Sequence, residues 1–218
     1  MEDDRRRLST ALHAASVLVR EGRSTEAVGL LRESMREVRD VVSTRLEEPL
    51  EHEPLGYGAL KVESLEGKSK PSSEHYEMPQ FSYLLNLDTD TSSFLTPLHA
   101  TVLLSFNLAV VLHSQAATDD RNSSAEKAHH MYKLTWGCLR MIDELDERDP
   151  LRILILGLSL NSAQLLLELG LKDEAEDHFR YFVHCYVSTA PQLLESMREC
   201  RSIFDKMMHG ILESISSD

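Results

Sequence analysis

What this chain of 218 residues has little of sets its first bounds. Cysteine occurs three times, at Cys138, Cys185 and Cys200, an odd number with wide gaps and no CxxC pair. Neither a zinc ribbon nor a disulfide framework is indicated, and a reducing compartment, cytoplasmic or nuclear, is expected. Lysine and arginine total 23 against 36 acidic residues, for a formal net charge of −13. A field of that sign repels phosphate backbones and anionic lipid, which argues against nucleic-acid and membrane partners. The amino terminus, MEDDRRRL, is too charged for a secretory signal. The most apolar stretch, Ile153 to Leu171, is interrupted by Asn161, Gln164 and Glu168. It reads as a buried helix and not a membrane span.

Chemistry-bearing motifs are also missing. No GxSxG, glycine-rich phosphate loop or HExxH occurs, and no two histidines stand four apart on a helix. His129 and His130 are adjacent and diverge around a helix, as do His178 and His184. His113 opposite His130 is the one pair that helix pairing could bring together. The expectation is no enzyme, no cofactor and no resident metal. A metal or catalytic site around His113, His129 and His130 is the remote alternative.

Proline and glycine, 7 and 9 in all, are unevenly spread. Pro49, Pro54, Pro71 and Pro79 lie within 47–95 with Gly56, Gly58 and Gly67, and this segment holds ten acidic residues against three lysines. Proline removes amide donors and breaks helices, so 47–95 is expected to be an insertion in a single helical domain spanning 1–218. Its centre, EGKSKPSSEH, has the composition of a mobile loop. Its ends, LGYGALKVESL and PQFSYLLNL, carry enough aromatic and aliphatic side chains to form a short strand pair or to lie extended on the helices.

The remainder reads as about seven helices. The first spans Asp4 to Glu21, and the second starts at the capping Ser24 and fades near Arg45. Thr96–Pro97 opens a third that runs to Ala116. After the polar ATDDRNSS, Ser123 with Glu126 forms a capping box for a fourth, ending near Leu145. Asp149–Pro150 starts a fifth that ends at Gly170, and Asp173 and Glu174 open a sixth that ends at Ser188. Thr189, Pro191 and Gln192 begin a last helix with Leu193, Phe204, Met207 and Ile211 on one stripe, placed to cap the array.

Two segments repeat one pattern: VLVREGRSTEAVGLL and LLLELGLKDEAEDHF each place Glu-Ala shortly after a Gly between two helices. A third copy, FNLAVVLHSQA…SAEKAHHMY, has a longer connection. Recurrence of this kind marks arrays of helix pairs. The chain resembles the tetratricopeptide (TPR) repeat family, in which a small residue in the first helix faces an Ala early in the second across a Gly turn. The matching positions are Ala15, Gly22 and Ala27, then Ala109, Ala116 and Ala128, then Ala163, Gly170 and Ala175. The middle unit replaces the turn Gly by Ala, the family's Trp is absent from its position, and the repeat spacing is irregular. SFNLAVVLH and LSLNSAQLLLELG are also similar to a group of small TPR-like proteins from diatom-type algae.

The resemblance implies an all-α solenoid of antiparallel hairpins that binds an extended peptide on a concave face lined by the first helix of each pair. It implies Leu12 and Ser16 there from the first pair. Leu103, Phe106, Asn107, Val110 and His113 come from the second, and Leu160, Asn161 and Gln164 from the third. Asn107 and Asn161 share a repeat position; each could bridge a peptide backbone or pair within its own hairpin. Family members that grip chaperone tails use a clamp of Lys, Asn and Arg. Here those positions hold Leu12, Ser16, Asn107, Gly157 and Asn161, so the cations are missing and that partner is excluded. The expected function is a protein–protein interaction module with an unnamed protein or peptide partner. The alternative is a self-occluded structural or homo-oligomeric protein in which Phe81, Tyr83 and Leu84 fill the groove. Trp136 is expected in the core.

Overall fold

The computed structural model describes residues 2–44, 60–64, 83–87, 96–116, 121–142, 145–196 and 198–216. In chain order the elements are α1 (Glu2–Arg20), α2 (Ser24–Thr44), β1 (Leu60–Ser64), β2 (Tyr83–Leu87), α3 (Pro97–Ala116) and α4 (Arg121–Leu139). Then follow α5 (Leu151–Glu168), α6 (Lys172–Ser188), α7 (Pro191–Ser196) and α8 (Arg198–Ser216). Among the described residues the body is all-α, eight helices, with one two-stranded ribbon. The ribbon is antiparallel, with Leu60 opposite Leu87 and Ser64 opposite Tyr83. The mobile centre expected of the insertion, and Phe81, lie outside the described residues.

Local chemistry sets the helix ends. Gly22 and Gly170 take φ of 76° and 75°, the left-handed region that glycine enters without a Cβ clash. Both turns close identically. Gly22 N–H donates to Val19 O and Arg23 N–H to Leu18 O, as Gly170 N–H does to Leu167 O and Leu171 N–H to Leu166 O. At the start of α3, Thr96 Oγ1 accepts from His99 N–H at 3.2 Å. Before α5, Pro150 already has helical φ −55° and ψ −26°, and Asp149 Oδ1 accepts from Leu151 N–H at 2.8 Å. The aspartate is therefore the working cap and the proline fills the first helical position, where its missing amide costs nothing.

Three features differ from the sequence expectation. Helix α4 begins at Arg121, so Ser123 and Glu126 sit inside it and the second half of ATDDRNSS is its first turn; 117–120 lie outside the described residues. Helix α4 also ends at Leu139, short of Leu145. The ladder tightens there, Met141 N–H donating to Cys138 O and Ile142 N–H to Leu139 O, and the Arg152 guanidinium holds the link that follows through Asp146 O at 2.8 Å and Leu145 O at 3.1 Å. The single final helix expected from Thr189 is divided into α7 and α8, with Met197 outside the described residues.

Packing follows the pattern of small residues. Helices α1 and α2, α3 and α4, and α5 and α6 contact as successive pairs, and α2 also lies on α3. Ala15, Ala27, Ala109, Ala128, Ala163 and Ala175 are fully buried. Without a Cβ substituent they let neighbouring backbones come close. Helices α3 and α5 are buried on all sides and form the centre of the molecule. Both are long and apolar enough to cross a membrane by length and composition, and here most of each is packed inside. Strand β2 lies against α1 and α3, and α8 lies against α5. Phe204, Met207 and Ile211 bury the apolar stripe of α8, with the Phe204 and Phe182 rings 5.9 Å apart.

Candidate functional site

The ten positions expected to line a groove are all buried. Leu12 and Ser16 on α1, Leu103, Phe106, Asn107, Val110 and His113 on α3, and Leu160, Asn161 and Gln164 on α5 are each at most 4% exposed. The structure gathers them into the core, so none offers a side chain to solvent. The side chains of Tyr83 and Leu84 lie outside what is described; the backbone of their strand is what abuts α1 and α3.

Three of the ten converge on one buried polar junction with two residues that sequence reasoning did not select. His113 Nδ1 lies 3.3 Å from the Tyr132 hydroxyl, and His113 Nε2 lies 3.4 Å from Glu168 Oε2. Gln164 Nε2 donates to Glu168 Oε1 at 3.0 Å, and Asn161 hydrogen-bonds the Tyr132 hydroxyl. Burial pushes the Tyr132 phenol well above the ordinary tyrosine range; the Glu168 carboxylate adds to this and the Asn161 bond opposes it. The phenol therefore stays protonated and serves the junction as a neutral donor. A second tie between the same helices is Thr135 Oγ1 to Ser105 Oγ at 2.9 Å. Five side chains from three helices thus meet in one network, in which Glu168 is the one that reaches water. Such a network fixes the mutual position of α3, α4 and α5.

The remote histidine site does not assemble. His113 faces Tyr132 internally, His130 is exposed, and His129 is half-buried near His178 of α6. Among the described residues no group of three or more His, Cys, Asp or Glu could hold a metal ion.

An outer cleft of about 880 Å³ opens between α4 and α6. Its floor is apolar, made by the buried Leu139, Ile142, Ile155 and Cys185. Trp136 and Tyr181 form a wall, with ring centroids 5.2 Å apart in an edge-to-face arrangement, and His178 sits 5.8 Å from the same indole. Trp136 is half-buried at the edge of the core, and its indole N–H has no acceptor. Lys133, Arg140 and Arg152 stand around the opening with Asp177. Burial and a bond to the Cys185 thiol push the Tyr181 phenol up to about 12. Burial also raises the Cys185 thiol, the Tyr181 bond acting the other way, so the floor holds a thiol and not a thiolate.

The sequence carried two weak signals for this cleft. Tyr181 is exposed, and an aromatic on a helix with a polar pattern hints at an unpartnered outer face. A single Trp close to Lys and Arg is the other. Neither signal links α4 to α6, which requires the fold. No protein-family model, curated protein or solved structure matches the chain.

Proposed function

We propose that this chain is a protein–protein interaction module of the TPR-like helical-repeat kind, in which the chain itself closes the first-helix face. The observation that carries the reading is the burial of all ten groove positions, with β2 on α1 and α3 and α8 on α5. A bound peptide would compete for the space those elements occupy. The TPR-like stacking of antiparallel hairpins is supported by the matched turns at Gly22 and Gly170 and by the buried alanine pairs on either side of them. Binding is favoured over catalysis because the titratable groups of the buried junction, His113, Tyr132 and Glu168, are engaged with one another. The partner is a protein or peptide, with nucleic acid and membranes disfavoured by charge, and it meets the outer surface. A reducing compartment, cytoplasm or nucleus, fits the free thiols of Cys138 and Cys185.

Two measurements test this. Replacing 60–87 by a short Gly/Ser linker should expose apolar surface on α1 and α3, raise binding of an apolar dye and lower Tm; unchanged values would refute the closed face. Tagged full chain in fresh extract of its own cells should travel above its monomer mass with a protein partner. A chain that runs alone would refute the interaction reading.

A further inference from the structure

We propose that the cleft between α4 and α6 docks an acidic protein segment that carries a large apolar anchor side chain. This rests on the interaction reading above and deepens it by naming the face and the partner's chemistry. It does not depend on the first-helix face.

The first argument is shape. A volume of about 880 Å³ over an apolar floor accommodates bulky side chains and holds them away from water. The Trp136 and Tyr181 wall supplies large rigid contact area, the residue types that dominate binding at interface centres.

Charge is the second argument, and it selects the partner. In a chain of net −13, three cations line this opening. Arg152 spends its donors on the carbonyls of Leu145 and Asp146 and on the Ser188 hydroxyl, none of them a carboxylate. Lys133 and Arg140 form no ion pair among the described residues. Elsewhere on the surface arginines do find acids, as Arg23 does with Glu21 and Glu26. Asp177, the one carboxylate among the described residues at the opening, already lies 3.8 Å from Arg180. Among the described lining residues the cleft thus carries three cations against one carboxylate, and the complementary ligand is acidic. A second copy of this chain is disfavoured by its like net charge.

Gly137 provides the third. It lies within α4 and lines the cleft, has no left-handed φ, and a Cβ added there would meet nothing within 4 Å. Glycine weakens a helix relative to alanine, and neither a turn nor a close backbone approach requires it here. What its missing side chain does is keep the mouth of the cleft wide.

The test uses the full chain and synthetic tryptophan-free peptides rich in glutamate, each with one Phe, Leu or Tyr anchor at helical spacing, alongside versions with lysine in place of glutamate. Trp136 is the only tryptophan in the chain, so its emission reports on the cleft wall. Polarization of labelled peptide gives a second readout. At least one acidic peptide should bind saturably and about tenfold or more tighter than its lysine version. Joint K133E and R140E should weaken it by a similar factor. Gly137→Leu should abolish binding with the helical circular dichroism intact, and Gly29→Ala on α2 should leave it unchanged. No saturable binding across the panel, equal binding of the lysine peptides, or binding that survives Gly137→Leu would each overturn the proposal. A concentration-dependent dimer broken by Gly137→Leu would also overturn it, by assigning the cleft to a second copy. A partner from extract that the Gly137→Leu chain still retains would sink the cleft and leave the interaction reading standing. A chain travelling alone in extract would sink that reading, whatever the peptides do.

Discussion

Tyr132→Phe isolates what the buried junction contributes. The ring is almost completely buried and would stay in place as Phe, so no cavity of consequence forms. What disappears is one hydroxyl with two partners, His113 Nδ1 at 3.3 Å and the Asn161 side chain. Each net hydrogen bond is worth about 1 kcal/mol, and leaving a buried partner dry adds to the loss, so a destabilisation of about 2 kcal/mol is expected. For a chain of this size that lowers Tm by roughly 4–8 °C. Urea unfolding followed by circular dichroism should show a lower midpoint with an unchanged slope. The same substitution should alter alkaline behaviour. Because the folded phenol titrates well above its ordinary range, its stabilising effect is complete below about pH 10, where an unfolded tyrosine begins to ionise, and is lost as pH rises further. The Phe variant should lack that part of the decline and keep the smaller part due to Tyr181. A loss under about 0.5 kcal/mol, or an alkaline slope identical to wild type, would refute the account of the junction.

Three further outcomes are expected. Gly170→Ala forces a Cβ into a left-handed turn and should cost about 1–2 kcal/mol, whereas Gly29→Ala in open space on α2 should gain about 1 kcal/mol; paired denaturation curves check both. Asp149→Ala removes the acceptor for Leu151 N–H and should cost about 1 kcal/mol in the same assay, with Asp149→Ser recovering most of it. Burial, then repulsion from His129, holds the His178 imidazole below its ordinary 6.5; burial and Lys133 do the same to His129, with Glu174 and Asp177 partly opposing at His178. Since the neutral forms are favoured in the fold, their contribution is complete above that value and lost as pH falls. Urea midpoints should therefore drop between about pH 7 and about pH 5, and His178→Gln should flatten the drop.

What could be read in the chain was what local chemistry determines. Gly22 and Gly170 and the Thr96 and Asp149 caps each act within a few residues of themselves, and the interior alanines recur at matching repeat positions, so their roles were visible in order of sequence. The path of the link after α4 was not, because Arg152 holds it by reaching back to carbonyls six and seven positions earlier. The capping box at Ser123 had the right residue types, but a helix that starts two residues sooner leaves it without a role. His113 was read as a groove residue that could meet His130, whereas it is buried against Tyr132, a matter of which face α4 turns toward α3. The cleft escaped for a similar reason: Trp136 read as core, because nothing in a linear chain shows that Tyr181 will stand 5.2 Å away.

Arg152 ties three parts of the chain at one point: the link before α5 through Leu145 and Asp146, α5 itself, and the last residue of α6 through Ser188. The backbone adds a second stitch nearby, Ala190 N–H to Glu147 O at 3.1 Å. Mechanically this corner is a rivet. Severing it at Arg152 would release the link before α5 and the end of α6 together.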